Sequence, residues 1–244
     1  MDERKKIKIA AVVGPTASGK TKLAVDICRA LNGEAVSCDS MQIYKYMDIA
    51  TAKPTVQEMC GIPHHMLDFL EPGEKYSVAA YCTEAGECID DISGRGKLPV
   101  LVGGTGLYYS SLIDNISFAD EDDDASIRSE LERRAESEGI ETLHRELSAI
   151  DPETAAQLHL NNRGRIIRAL EVYYKTGVTM SEQQRRSRLV EPKYDCTAIC
   201  LDVRDRQFLY DRIDRRVDIM IENGLIEEAR RFLSGELGKT SGQA

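Results

Sequence analysis

The segment "KIKIAAVVGPTASGKTKLAVDICRALN", Lys6 to Asn32, constrains the fold more than any other part of the chain. An apolar run of strand character leads into Gly14, Pro15, Thr16, Ala17, Ser18, Gly19, Lys20 and Thr21, the pattern G-x-x-x-x-G-K-[ST]. Helical spacing follows at Leu23, Ala24, Ile27 and Leu31, with Gly33 as the expected stop. In that setting the loop's backbone N–H groups point at an anion, and the helix N-terminus adds favourable potential. Lys20 neutralises phosphate oxygens in such a loop, and the Thr21 hydroxyl is a ligand for Mg²⁺. The loop alone leaves open an ATPase, a small-molecule kinase, or a transferase whose leaving group is pyrophosphate.

The order of elements decides the fold class. "EAVSCDS" (Glu34 to Ser40) reads as a second strand ending at Asp39. "SVAAYCTEAGECIDDI" reads as a helix with Ser77 as its N-cap, and "KLPVLVGG" as a strand ending in Gly103 and Gly104. Strand–helix–strand–helix–strand is the pattern of a parallel sheet covered by helices. "ADEDDDAS" (Ala119 to Ser126) is an acidic linker, and from Ile127 to Arg188 the periodicity is helical throughout, with Gly177 as a stop. "CTAICLDV" (Cys196 to Val203) returns to a strand, and one long helical pattern closes the chain. The expected fold is α/β: a P-loop NTPase-like parallel sheet flanked by helices, from residues 1–119 and 189–244, with a helical insertion domain at 120–188.

The net charge of −9 argues against a nucleic-acid binder when taken alone. It is unevenly spread, however. Asp120 to Glu153 holds 13 acidic and 4 basic residues, whereas His159 to Arg188 holds 2 acidic and 7 basic. A local basic stretch binds phosphate whatever the total. The 7 Cys are scattered without a C-x-x-C pair, which disfavours a zinc site or a disulfide framework and makes most of them small buried hydrophobes. No apolar run reaches membrane-spanning length and no signal peptide opens the chain, so a cytoplasmic protein without a membrane partner is expected.

Further residues qualify as functional by position. Asp39 sits at a strand end, outside which open α/β sheets bind ligands; its carboxylate would hold Mg²⁺, remove a proton, or cap a turn. Thr105, after Gly103 and Gly104, is a hydrogen-bond donor on the same edge. His64 and His65 would face opposite sides of a strand and make a poor metal pair, one buried and bonded, the other exposed. Arg163, Arg165 and Arg168, followed by "QQRRSR", form a basic face. "DRIDRRV" carries Arg212, Arg215 and Arg216 on one helix, and spacing does not say which of them reaches a phosphate.

Seven blocks in fixed order carry a resemblance. They are "GPTASGKT", "DSMQIYKYMDIATAKP", "GIPHHMLD", "YS" at 76 to 77, "LVGGTGLY", "RIIRALEVYYKTG" and "RIDRRVDIMIENGLIEE". Together they resemble the tRNA dimethylallyltransferase family over almost the whole chain. The resemblance implies transfer of a dimethylallyl group from its diphosphate to the exocyclic N6 amine of adenosine 37, in the anticodon stem–loop of tRNA, with pyrophosphate released and Mg²⁺ as cofactor. It implies Asp39 as general base, Thr105 near the reacting groups, and Lys20 and Arg216 on the diphosphate. It implies tRNA contacts from Asp39, Ser40, Met41, Gln42, Thr105, Arg128, Gly164, Arg165, Ile166, Ile167 and Arg168, with Thr21 as metal ligand. A monomer is expected. Ala50 stands where the family has Gly, and Gly164 where it has a polar Gln or Arg. Family members continue for some tens of residues beyond "GELGKTSGQA", including a segment that touches tRNA, so the C-terminal part of the core reads as truncated. Two other readings stay open at this point: a P-loop small-molecule or nucleotide kinase, and a catalytically inactive tRNA-binding fragment of the family.

Overall fold

A computed structural model describes residues 6–116 and 126–236. The acidic run at residues 120–124 lies outside them. The chain divides into two compact units, Met1–Ile113 with Pro192–Ala244, and Asp114–Glu191.

The first unit begins with β1 (Ile7–Val13), the phosphate-loop sequence and α1 (Lys20–Leu31). Then come β2 (Gly33–Ser37), the short α2 (Val56–Met59), β3 (His64–His65), α3 (Val78–Gly94), β4 (Leu98–Gly103) and α4 (Gly106–Ile113). The second unit is helical: α5 (Ser126–Ser137), α6 (Ile140–Ile150), α7 (Pro152–Gln157), α8 (Arg163–Thr176) and α9 (Met180–Arg188). The chain returns to the first unit with β5 (Tyr194–Cys200), α10 (Arg206–Glu222) and α11 (Leu225–Leu233). The strands form one parallel sheet in the order β3-β2-β4-β1-β5.

The sheet is apolar on both faces because its strands are covered on both sides. Successive residues point to opposite faces. Ile9, Ala11, Val36 and Leu101 pack with Tyr81, Ile89, Ile92 of α3 and Tyr108, Leu112 of α4. Val12, Ala35, Val100 and Val102 pack with Ala24 and Cys28 of α1. The Tyr81 ring stacks on Tyr108 at 4.2 Å, and its hydroxyl donates to Ser37 O. The helical unit has its own core, in which Leu131, Leu143, Leu147, Ile166, Ile167 and Leu170 are buried. No helix among the described residues is long and apolar enough to cross a membrane.

Several local expectations need correction. Asn32, not Gly33, caps α1 in a left-handed conformation, and Gly33 already belongs to β2 because a Cβ there would lie 2.7 Å from Leu98 O. β2 stops at Ser37, so Asp39 lies in the turn beyond it. The closing helical pattern is two helices, broken at Gly224 (φ 102°). Both His64 and His65 are partly buried and both are hydrogen-bonded, to Ile62 O and to Glu34. All seven cysteines are free; only Cys28 and Cys38 are buried, while Cys60 and Cys200 are exposed.

Among the described residues of the sheet unit two carboxylates are buried, Glu34 and Glu228, and Glu34 is the deeper. Glu34 on β2 is 2% exposed and takes a bidentate bond from Arg95, another from Lys97, and a contact with His65. Arg95 above all, against the opposing effect of burial, holds its carboxyl well below the usual carboxylate range, with Lys97 and His65 adding to it. A lowered folded-state pKa stabilises fully above the unfolded value and less as pH falls toward the folded one. Glu34→Gln should therefore cost about 2 kcal/mol at neutral pH. It should also flatten the fall in Tm below about pH 4, the ordinary glutamate range. Thermal melts from pH 2 to 7 check this, and parallel wild-type and variant curves on the acid side would refute it.

Candidate active site

The carboxyl ends of β1, β2 and β4 bring the sequence-predicted groups of the first unit to one edge. After β1, Gly14 (φ 148°) passes so close to β5 that a Cβ would lie 2.5 Å from Leu201 O. Ala17 (φ 60°) and Gly19 (φ 93°) are both left-handed, which bends the loop around a concavity. Gly19 is the N-cap of α1 and no side chain caps it, so the first-turn N–H groups remain available to an anion. Pro15 and Thr16 are exposed, while Thr21 is partly buried at the start of α1. Ser18 Oγ is buried and has no hydrogen-bond partner among the described residues.

Lys20 lies across this loop, its Nζ donating to Pro15 O at 2.7 Å. Burial lowers its pKa; Asp39 opposes that effect and Arg216 adds to it. Of the three arginines in "DRIDRRV" on α10, Arg212 lies over the Phe208 ring and is exposed, Arg215 is exposed, and Arg216 is partly buried. The structure thus separates three candidates that spacing could not.

The Asp39 turn is built from β2 and β4 together. Cys38 N donates to Val102 O, and Thr105 N donates to Cys38 O. Gly103 is obligatory here, because a Cβ would lie 2.0 Å from Cys38 O. Thr105 Oγ1 accepts from Ser40 N at 2.9 Å and lies 3.3 Å from Ser40 Oγ. Asp39 Oδ1 accepts from Met41 N at 3.0 Å and Gln42 N at 3.4 Å. One carboxylate oxygen therefore holds the turn, and Oδ2 has no hydrogen bond among the described residues. The turn-capping and the functional readings of Asp39 are compatible, one for each oxygen. Gln42 Nε2 in turn donates to Thr51 O and Ala52 O.

Two residues of this region escaped sequence reasoning. Lys53, its side chain 6% exposed, pairs with Asp48 and Asp68. Glu228 on α11 accepts from the backbone N–H groups of Asp48, Ile49 and Ala50. The blocks "ATAKP" and "NGLIEE" held the signal, but not the pairing between them.

The second unit carries the other sequence-predicted group. Ile166 and Ile167 are 0% and 2% exposed, so their side chains build the core and leave only their main chain for any contact. Buried Glu171 gathers Arg128, Arg168 and Lys175. Burial alone would raise its carboxyl, but Arg168 and Lys175 outweigh that and lower it. Arg163 bonds to Glu132 O and Glu136. Arg165 is exposed, and its side chain has no partner among the described residues. Gly164 is exposed with open space where a Cβ would be, at the start of a helix that no side chain caps.

A glycine-containing loop that runs from β1 into the uncapped N-terminus of α1, with a half-buried lysine and an acidic turn on the same sheet edge, defines an α/β protein of P-loop NTPase-like fold. Comparison with known proteins narrows this. A family profile described as IPP transferase matches residues 42–244, and one described as isopentenyl transferase matches residues 7–69. A tRNA dimethylallyltransferase of Bacillus mycoides (strain KBAB4) is 49% identical over 94% of this chain and 72% of its own length. One from Caldanaerobacter subterraneus subsp. tengcongensis is 50% identical over 93% of this chain and 72% of its own. Among solved structures, a full-length tRNA isopentenylpyrophosphate transferase from Bacillus halodurans is 44% identical, with a TM-score of 0.65 over 98% of this chain and 74% of that one. A eukaryotic dimethylallyltransferase acting on tRNA is 31% identical, with a TM-score of 0.79 over 97% of this chain and 58% of that one. The chain belongs to the IPP transferase family of tRNA dimethylallyltransferases, and it is an enzyme of the prenyl transferase type.

The hydroxyl of Thr105 is the clearest test of how the edge is held. Thr105→Val keeps the side-chain shape but removes the acceptor for Ser40 N. It should cost about 1 kcal/mol of stability, seen as a lower urea midpoint, and should speed hydrogen exchange at the Ser40 amide. An unchanged Ser40 exchange rate would show that the turn does not depend on this bond.

Proposed function

We propose that this chain transfers the dimethylallyl group of dimethylallyl diphosphate to the exocyclic N6 amine of adenosine 37 in the anticodon stem–loop of tRNA, as a cytoplasmic monomer. The observation that carries the reading is Lys20 laid across the phosphate loop, with Asp39 at the end of the neighbouring strand and its Oδ2 left open. Free cysteines, Cys60 and Cys200 exposed among them, suit a reducing compartment.

The adenine amine is a weak nucleophile because its lone pair is delocalised into the ring. It forms the new C–N bond at the allylic C1 while the C1–O bond breaks, and pyrophosphate leaves with that electron pair. The amine proton passes to Asp39 Oδ2. The loop N–H groups, Lys20 and Arg216 stabilise charge where it develops on the leaving oxygens. Thr105 positions the turn and lies beside the reacting groups. An adenine stacked in a loop is out of reach, so it is flipped out toward the Asp39 turn.

The oxygen donors here suit a hard cation: Thr21, the unpartnered Ser18 Oγ and Asp39. No cluster of three or more His, Cys, Asp or Glu among the described residues is placed to hold one by itself. Mg²⁺ held by Thr21 and the diphosphate would neutralise leaving-group charge. In the helical unit, Arg128, Arg165, Arg168 and the open N-terminus of α8 at Gly164 serve the RNA backbone, and Ile166 and Ile167 contribute through their main chain. Around the base, Ser40, Met41 and Gln42 contribute with Asp39.

Single-turnover transfer of labelled dimethylallyl diphosphate to an anticodon stem–loop tests the reading. Asp39→Asn keeps a turn-capping oxygen but removes the base. It should lower the transfer rate by at least about a hundredfold while stem–loop affinity holds. A variant with most of its rate intact would take Asp39 out of that role. Arg165→Ala should weaken stem–loop binding and reduce the salt slope of log K by about one. Equal slopes for wild type and variant would remove Arg165 from the RNA surface.

A further inference from the structure

We propose that Glu228 is a positioning residue for the transfer, holding the α10–α11 hairpin so that Arg216 faces Lys20 and the diphosphate. The inference rests on the role given to Arg216 above. Glu228 Oε2 accepts from Asp48 N at 2.9 Å and Ile49 N at 2.8 Å, and Oε1 accepts from Ala50 N at 2.8 Å. Three successive backbone donors thus converge on one carboxylate, an anion nest filled by a side chain from 178 residues further along the chain. No Lys, Arg or His pairs with Glu228 among the described residues, so these N–H groups alone compensate the charge.

The rest of the hairpin has little other anchorage. No residue of α10 is buried, and Glu228 is the sole buried residue of α11. The hairpin tip meets the same turn, where a Cβ on Gly224 would lie 3.8 Å from Ile49 Cδ1. Arg216 lies about 10 Å along the helix from that tip, at 1.5 Å per residue. A small tilt about the tip therefore swings the guanidinium, and a displacement near 1 Å in a charged catalytic group is enough to cost about a hundredfold in rate.

Glu228→Gln is nearly isosteric but turns an amide donor toward donors, so it breaks the nest without opening a cavity. The test compares wild type, Glu228→Gln, Arg216→Ala and the double variant. Each is measured for single-turnover transfer, for binding of inorganic pyrophosphate by calorimetry, and for thermal unfolding. The expected result is a loss of between about tenfold and a hundredfold in rate for Glu228→Gln, weaker pyrophosphate binding and a still cooperative melt. On the Arg216→Ala background Glu228→Gln should add less than about twofold, because both changes remove the same interaction. Losses that multiply would overturn the proposal while leaving Arg216 in place, as would a Glu228→Gln enzyme of wild-type rate and affinity. An Arg216→Ala variant with unchanged rate and pyrophosphate binding would instead remove Arg216 from the diphosphate, and the proposal with it. Should Glu228→Gln fail to fold, Glu228→Asp keeps the charge and shortens its reach, and the same cycle is read on that variant.

Discussion

The active edge depends on a place where two strands leave no room for a side chain. Cys38 O lies where the Cβ of residue 103 would be, so β2 and β4 close on each other just past their last ladder bonds. That contact lets Thr105 N reach Cys38 O, and it brings Thr105 Oγ1 under Ser40 N. Asp39 is then presented by a turn fixed from both sides. A similar restriction acts at Gly14, where the loop passes under Leu201 O before curving around its anion site. Gly14 and Gly103 matter through what they let the backbone approach.

Much of this was legible in the sequence, for a physical reason. A P-loop is a local device: the strand, the bend and the helix N-terminus that make it are contiguous, so residues 14–21 disclose it without knowledge of the rest. Strand ends such as "LVGG" show themselves through an apolar run meeting two glycines. What stayed hidden was cooperative or distant. The "NG" at 223 to 224 was a visible helix break within a strong helical period, and the period won the reading. Thr55 and Glu58 spell a capping box for α2, too short a helix for periodicity to find. Ile166 and Ile167 keep their side chains in the core of the helical unit, which leaves the main chain as the part open to the contact that the family resemblance implies.

Charge in this protein works locally against the global balance. The net −9 would repel RNA on average, but counterion release depends on the cations that a phosphate meets within a Debye length. In the helical unit most arginines are already committed. Glu171 is buried and draws Arg128, Arg168 and Lys175 toward one point, which costs desolvation but helps to order their side chains. Arg165 is exposed, with its side chain unpaired among the described residues. The arrangement splits the basic face into cations gathered by a shared acid and an exposed one outside that cluster.

The sheet unit uses buried acids in two contrasting ways. Glu34 is surrounded by cations, and its ion pairs tie together β2, β3 and the approach to β4 at the end of the sheet away from the active edge. Glu228 is held by backbone N–H groups alone. An ion pair between long side chains tolerates small shifts because both partners can follow. A carboxylate in a nest of main-chain donors cannot, since the donors belong to a turn whose φ and ψ are already set. Rigidity is what the tether we propose for Arg216 requires, because electrostatic stabilisation of charge falls off with distance and rewards preorganisation. The turn that receives Glu228 runs on to Thr51 and Ala52, whose carbonyls hold Gln42. The same few residues therefore connect α11, through Glu228, with the turn that carries Asp39, through Gln42.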